Sequence, residues 1–339
     1  MLRTWIAGAT FSLALVLSVA RSAVAELPDP GTFLSDIGFT RDQIAQVQAG
    51  SFVTAKIQPS SERELVAAFA FLVHTTPGDL VKQLRSGLLA AVDSNTLVAE
   101  AITGAPTLAS FAKLTLAPDA ARRAKAYTSA KPGGDLNLSS GEIAGFNQLG
   151  SGATTAAVEQ AVRSTLLARL QAYQAKGLAG IAPYAGAGGK SRSAADELRS
   201  ATQATKRLQT LAPAAYTLLL DYPASKPPSS EETFRWTSFM ANGVPTIALT
   251  HALFVPDGDA WVVVQRQFYV SGGYNSVQAI GALLPMQTGT LVTYSNRTST
   301  DQVTGLGGGA KRSIGSNLLS SQLKALYQKV QGKGKSGGS

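Results

Sequence analysis

The 339 residues include two histidines and no cysteine, which leaves few side chains for metal or thiolate chemistry. Neither His74 nor His251 has another histidine at helical spacing, so a His-Glu-x-x-His zinc site cannot be built. Disulfides and cysteine nucleophiles are excluded outright. No Gly-x-Ser-x-Gly elbow occurs. Ser110-x-x-Lys113 and Ser321-x-x-Lys324 have the spacing that sets a lysine beside a serine across one helical turn, but Ser110 opens a predicted strand and the companion Lys-Thr-Gly is missing. The glycine-rich stretch Gly305 to Gly309 precedes Lys311 as in a phosphate loop, yet Ala310 breaks the Gly-Lys-Ser/Thr register, and the stretch reads as a joint. Glu231, Glu232, Asp257 and Asp259 sit beside prolines, serines or turns and read as solvated loop charges. No nucleophile, base and orienting group assemble, so no reaction, cofactor or metal is assigned.

The densest amphipathic set follows Ala260. Trp261, Val263, Gln265, Gln267 and Tyr269 share one face of a predicted strand, and Val262, Val264, Arg266, Phe268 and Val270 share the other. If the glutamine face lines a cavity, its amides and the Tyr269 hydroxyl would orient a mainly apolar ligand. If instead the amides meet solvent, the Val and Phe face packs against a helix. Trp236, Tyr274 and Tyr294 would add ring surface to a cavity, with Arg297 near its mouth for an anionic headgroup. His251 shares the parity of Leu249 and Leu253 and reads as a hydrogen-bonded core or wall histidine.

These side chains depend on an ordered set of elements. Ser51 to Ile57 and Glu64 to Val73 read as two pairing strands, and Thr76-Pro77 caps a helix reaching about Leu89. Phe111 to Leu116 alternates like a strand, and Arg122 to Tyr127 more weakly so. Ser139 and Glu142 form a capping box that opens a helical block of about residues 139–222. Within it, Val158, Val162, Leu166, Leu170 and Tyr173 give a long amphipathic helix, and Ser193 and Pro213 start two more. Strands are predicted at Phe234 to Met240, Thr246 to Val255, Trp261 to Val270, Val277 to Leu284 and Gly289 to Ser295, the last four as an antiparallel meander. A final helix carries Ile314, Leu318, Leu319, Leu323, Leu326 and Val330 on one face.

A strand leading through Thr76-Pro77-x-x-Leu80-Val81 into a helix, with a later meander and a long C-terminal helix, resembles the START-like helix-grip superfamily. That resemblance implies an α+β fold in which a curved antiparallel sheet wraps the last helix and holds an apolar ligand against it. Here the fold would carry the inserted helical block. Gln265-x-x-x-Tyr269, Tyr294-x-x-Arg297-x-x-x-Asp301 and Gly308 with Lys311-Arg312 also look like an exported bacterial family without an assigned activity.

Met1 to Ala25 has a cationic start, an apolar run from Trp5 to Ala20 and an Ala23-Val24-Ala25 ending, the layout of a cleaved secretory signal. Residues 26–332 then form a single α+β domain in the periplasm or outside the cell, and 333–339 a disordered basic Gly/Ser tail. The net charge of +9 falls to about +7 without Arg3 and Arg21. Its Lys and Arg residues are scattered without an aromatic array, so the basic charge points to an anionic membrane surface or envelope polymer and not to nucleic acid, while the helix-grip resemblance implies a hydrophobic or lipid-like small molecule as ligand. Three functions compete: a carrier for such a ligand, an envelope interaction module without a cavity, and a hydrolase or cyclase.

Overall fold

The computed structural model describes residues 29–241, 243–305 and 307–336, and the expected signal segment lies outside them. Asp29 caps α1 (Pro30–Asp36) by accepting from the N–H groups of Gly31 and Thr32, and a Thr40/Gln43 capping box opens α2 (Arg41–Gln48). β1 (Val53–Ala55) pairs antiparallel with β2 (Glu64–Val73), Val53 lying opposite Ala70. Thr76 and Pro77 start α3 (Pro77–Arg85) as expected. The helix ends short of Leu89 because Gly87, at φ 95°, turns the chain into a separate short helix, α4 (Leu88–Val92). β3 (Thr96–Ile102), which no sequence pattern announced, follows at the sheet edge.

Helical structure then begins earlier than expected. Phe111 to Leu116 is not a strand: it leaves a 3-10 turn, and Phe111, Leu114 and Leu116 are all fully buried in the helical core. Their near-alternation records burial of an irregular segment. Arg122 to Tyr127 lies in α5 (Ala120–Thr128), where Arg123, Ala124 and Tyr127 are buried at helical spacing. α6 (Ser140–Leu149) has its Ser139/Glu142 box, and α7 (Thr155–Lys176) buries Val158, Val162, Leu166, Leu170 and Tyr173. A small hairpin of β4 (Tyr184–Ala185) and β5 (Ser191–Arg192) precedes α8 (Ala194–Ala204), α9 (Leu208–Leu211) and α10 (Pro213–Asp221).

β6 (Glu231–Ala241), β7 (Val244–Asp257), β8 (Ala260–Val270), β9 (Ser276–Met286) and β10 (Gly289–Ser299) pair successively, and the full sheet runs β1-β2-β10-β9-β8-β7-β6-β3. All eight strands are antiparallel to their neighbours. The protein is therefore α+β. α5 to α10 cover one face of the sheet in a core that includes Trp236, Leu249, Leu253, Val264 and Phe268. α1 and α2 cover the β1–β2 end of that face through Phe33, Leu34 and Val47 against Ala70, Ala282 and Leu291. The opposite face carries Phe69, Phe71, Val263, Leu283 and Val292 under α3, α4 and α11 (Gly308–Ser336). α11 runs on through Ser336, into the stretch expected to be a disordered tail.

Gly177 ends α7 at φ 55°, and a Cβ there would lie 1.8 Å from the carbonyl oxygen of Tyr222. Gly177→Ala must push apart the ends of α7 and α10, at an expected cost of about 2 kcal/mol. Urea denaturation measures it; an unchanged midpoint would show that the Tyr222 segment yields freely.

Candidate functional site

Alternation along β7 to β10 divides the predicted site residues between two faces, because strand partners point the same way. Trp236 pairs with Leu249 and His251 with Phe234, all in the core beneath the helical block. Gln265 sits opposite Ala252 and Ala279, on the face of Val263 and Phe254. A bulge decides Tyr269: Gln267 pairs with Thr250 but Tyr269 with Leu249, so Phe268 is an extra residue. Phe268 and Tyr269 consequently both enter the helical core, against Tyr173 and Arg169 respectively. Tyr269 thus leaves the glutamine face that strict alternation assigned to it.

Arg297 is corrected as well. It pairs with Val66 and Gln278 on the helical-block face and is buried, its Nη1 donating to Glu64 Oε2 at 2.7 Å and to the Gln58 carbonyl at 3.1 Å. It closes a loop instead of guarding a cavity mouth. Trp236 donates from Nε1 to the Ser110 carbonyl at 2.9 Å, which makes it a tie to the irregular segment before α5.

His251 is the centre of a polar chain. Its Nε2 lies 2.9 Å from Glu232 Oε2 and its Nδ1 3.0 Å from the Tyr173 hydroxyl. Since an ionised carboxylate can only accept, the neutral ring donates from Nε2 and accepts from Tyr173 at Nδ1. Lys226 ion-pairs with Glu232 at the outer end, while Arg266 at the inner end donates to Gln278 Oε1 and to the Leu219 carbonyl, both at 2.8 Å. Burial pushes His251 down to about 4, partly against its Glu232 bond; burial would raise Glu232, but bonds from His251 and Lys226 bring it down to about 2. The acid, imidazole and phenol resemble a proton relay in order, yet His251 and Tyr173 are fully buried, with no route for substrate. Glu232 is thus part of a core network and not the free loop charge expected.

The other face holds a groove. Phe71, Val263, Leu283 and Val292 form its floor, Leu80, Leu84 and Leu89 one wall, and Tyr327 of α11 the other. Gly281 and Ala279 leave the floor low, since their neighbours on that face carry large side chains. Gln265 and Tyr294 line it; Tyr274 is not among the lining residues, and its hydroxyl donates to Gln267 at 2.7 Å. Phe52, Phe69, Phe71, Tyr294 and Tyr327 pack ring to ring at 4.7–6.0 Å and plug one end. Burial pushes the Tyr294 phenol up to about 12.

The amide of Gln265 and the hydroxyl of Tyr327 have no hydrogen-bond partner among the described residues. No protein-family model, curated protein or solved structure matches the chain. The groove measures about 490 Å³ between atom surfaces with its open mouth included, but only about 30 Å³ can be entered by the centre of a water molecule. The smaller figure governs occupancy, because solvent at the mouth confines nothing. It suits about two waters, far short of the ~300 Å³ of a ready-made ligand cavity. No three His, Asp or Glu side chains gather as for a metal ion among the described residues.

Tyr327 was absent from the sequence-derived set. It lies four residues after Leu323, and that pair defines the inward face of α11. The apolar stripe expected on one face is divided: Leu323 turns inward, while Ile314 and Leu318 are exposed.

Proposed function

We propose that the protein binds or carries a hydrophobic, lipid-like ligand outside the cytoplasm, without a chemical step, in the groove between the sheet and α3, α4 and α11. The observation that carries this reading is the pair of unpartnered polar groups, Gln265 and Tyr327, in a lining that is otherwise apolar. Neither group is sealed from solvent, and a ligand with a small uncharged polar group and an apolar body would bond both in place of water. The sequence resemblance to the helix-grip superfamily implies the same placement. Entry requires Tyr327 to leave its aromatic neighbours, so α11 acts as a lid whose open state the ligand selects.

Binding of a fluorescent apolar probe such as N-phenylnaphthylamine tests it. Tyr327→Ala enlarges the groove and is expected to strengthen probe binding at least about threefold, while Gln265→Leu leaves the apolar probe bound and weakens a fatty amide or alcohol of similar length about fivefold, the worth of one hydrogen bond. Failure of wild type and Tyr327→Ala alike to take up the probe would sink the reading. The tightness of the groove favours the second reading, an interaction module without a cavity whose helical block meets an envelope partner, and that same failure would support it.

A further inference from the structure

We infer that the outer face of α11 is a docking surface for an anionic lipid bilayer, an assignment independent of what the groove holds. The inner side of the helix is fully engaged: Ser316 Oγ accepts from the Val66 N–H at 3.1 Å, Gly315 lies against Leu65, and Leu323 and Tyr327 join the core above β2. On the other side Ile314 and Leu318, one turn apart, are 69% and 52% exposed. Ile314 is the most exposed of the large hydrophobic side chains among the described residues. Ser321 and Ala325 continue their line along the helix. Lys311 and Lys329 flank the line on one side and Lys324 on the other, all three exposed, with Lys329 donating to the Val92 carbonyl at 3.4 Å and the Lys324 ammonium 5.7 Å from the Phe52 ring centroid.

Charge decides the occupant. From Gly308 to Ser339 the sequence has six lysines and arginines and no acid. Asp301, just before the helix, is already bonded by Arg192 at 2.8 Å and faced by Arg63 at 3.5 Å. A second copy of the chain would set these lysines against each other, and two aliphatic side chains are too few for a stable protein interface of about 1,000 Å². An aliphatic line bordered by lysines fits a bilayer surface, where anionic headgroups answer the cations and the acyl boundary receives Ile314 and Leu318. No described helix is long and apolar enough to cross a membrane, so the contact is with the surface.

The test is flotation of the full chain with vesicles of phosphatidylglycerol and of phosphatidylcholine. The apolar run Trp5 to Ala20 is common to all variants, so the ratio of anionic to neutral partitioning reads the helix. Lysines near an anionic surface are each worth about a fivefold change. Lys311→Gln with Lys324→Gln and Lys329→Gln is therefore expected to lower anionic partitioning on the order of a hundredfold at low salt, and Ile314→Ser with Leu318→Ser about tenfold. High salt should erase the wild-type preference. Equal partitioning on both lipids, or anionic partitioning unchanged in both variants, overturns the inference. So does a concentration-dependent dimer that the serine variant abolishes, which would assign the face to a second copy. N-phenylnaphthylamine uptake by the serine variant should match wild type, so that failure of docking and failure of the groove reading remain distinguishable.

Discussion

Arg169→Met is expected to destabilise the protein by about 4 kcal/mol, because it strands a partly buried carboxylate. The guanidinium donates from Nε to Glu142 Oε1 at 2.7 Å and from Nη2 to Oε2 at 2.5 Å, a fork matched to the carboxylate, while Nη1 reaches the Ala182 carbonyl at 3.2 Å. It also lies 4.3 Å from the Tyr269 ring and 5.5 Å from that of Tyr184. Breaking a buried pair from one side typically costs 3–5 kcal/mol, since the remaining charge keeps its desolvation penalty without its partner. Glu142 retains the Ser139 N–H at 2.7 Å, which limits the loss. Lysine cannot form the fork, so Arg169→Lys should recover less than half. Combining Arg169→Met with Glu142→Gln should be no worse than Arg169→Met alone, as the cost lies in the abandoned charge. Urea midpoints decide this; a double variant less stable by the full sum of both single losses would show that the pair is not the source.

The same region shows what local pattern could and could not convey. The Ser139/Glu142 box, the stripe of α7 and the strands β6 to β10 were legible because each rests on residues within one turn or one pleat of each other. Whether the space between the meander and the last helix holds a cavity was left open by the sequence; Gln265 and Tyr294 border the narrow groove there. β3 was not, since only Ile102 in it is buried and an edge strand loses the alternation that half-burial writes into a sequence. Tyr269 changed faces through one extra residue, Phe268, and a bulge leaves no mark on composition. Arg297 meets Glu64, 233 positions away, so its buried role was invisible locally. Closure of the groove likewise depends on ring packing among Phe52, Phe69, Tyr294 and Tyr327, which strand and helix periods do not specify.

Acidification from pH 6.5 to 4 is expected to remove about 3 kcal/mol of stability through His251 alone. An unfolded chain takes a proton on this ring near pH 6.5. In the folded protein burial, reinforced by Arg266 and Lys226 and opposed by Glu232, holds that step down to about 4. Above pH 6.5 the ring is neutral in both states and its contribution is complete. Between the two values only the unfolded chain binds the proton, so stability falls by up to 1.4 kcal/mol per pH unit as pH drops. Below 4 this loss levels off, and Glu232, held down to about 2, extends the decline from its ordinary range toward pH 2. Glu197 acts in the opposite sense, because burial raises its carboxyl and its protonation favours the fold. The charged groups facing His251 therefore make an acid-labile clasp between β6 to β8 and the ends of α7 and α10. In His251→Gln the slope from pH 6.5 to 4 should be nearly flat, though the variant is less stable at pH 7. With only two histidines in the chain, proton NMR reads the step directly: the His251 ring should titrate below pH 5. Titration near 6.5, or an unchanged slope in His251→Gln, would mean that the ring is charged in the fold and that Glu232 stabilises it as an ion pair.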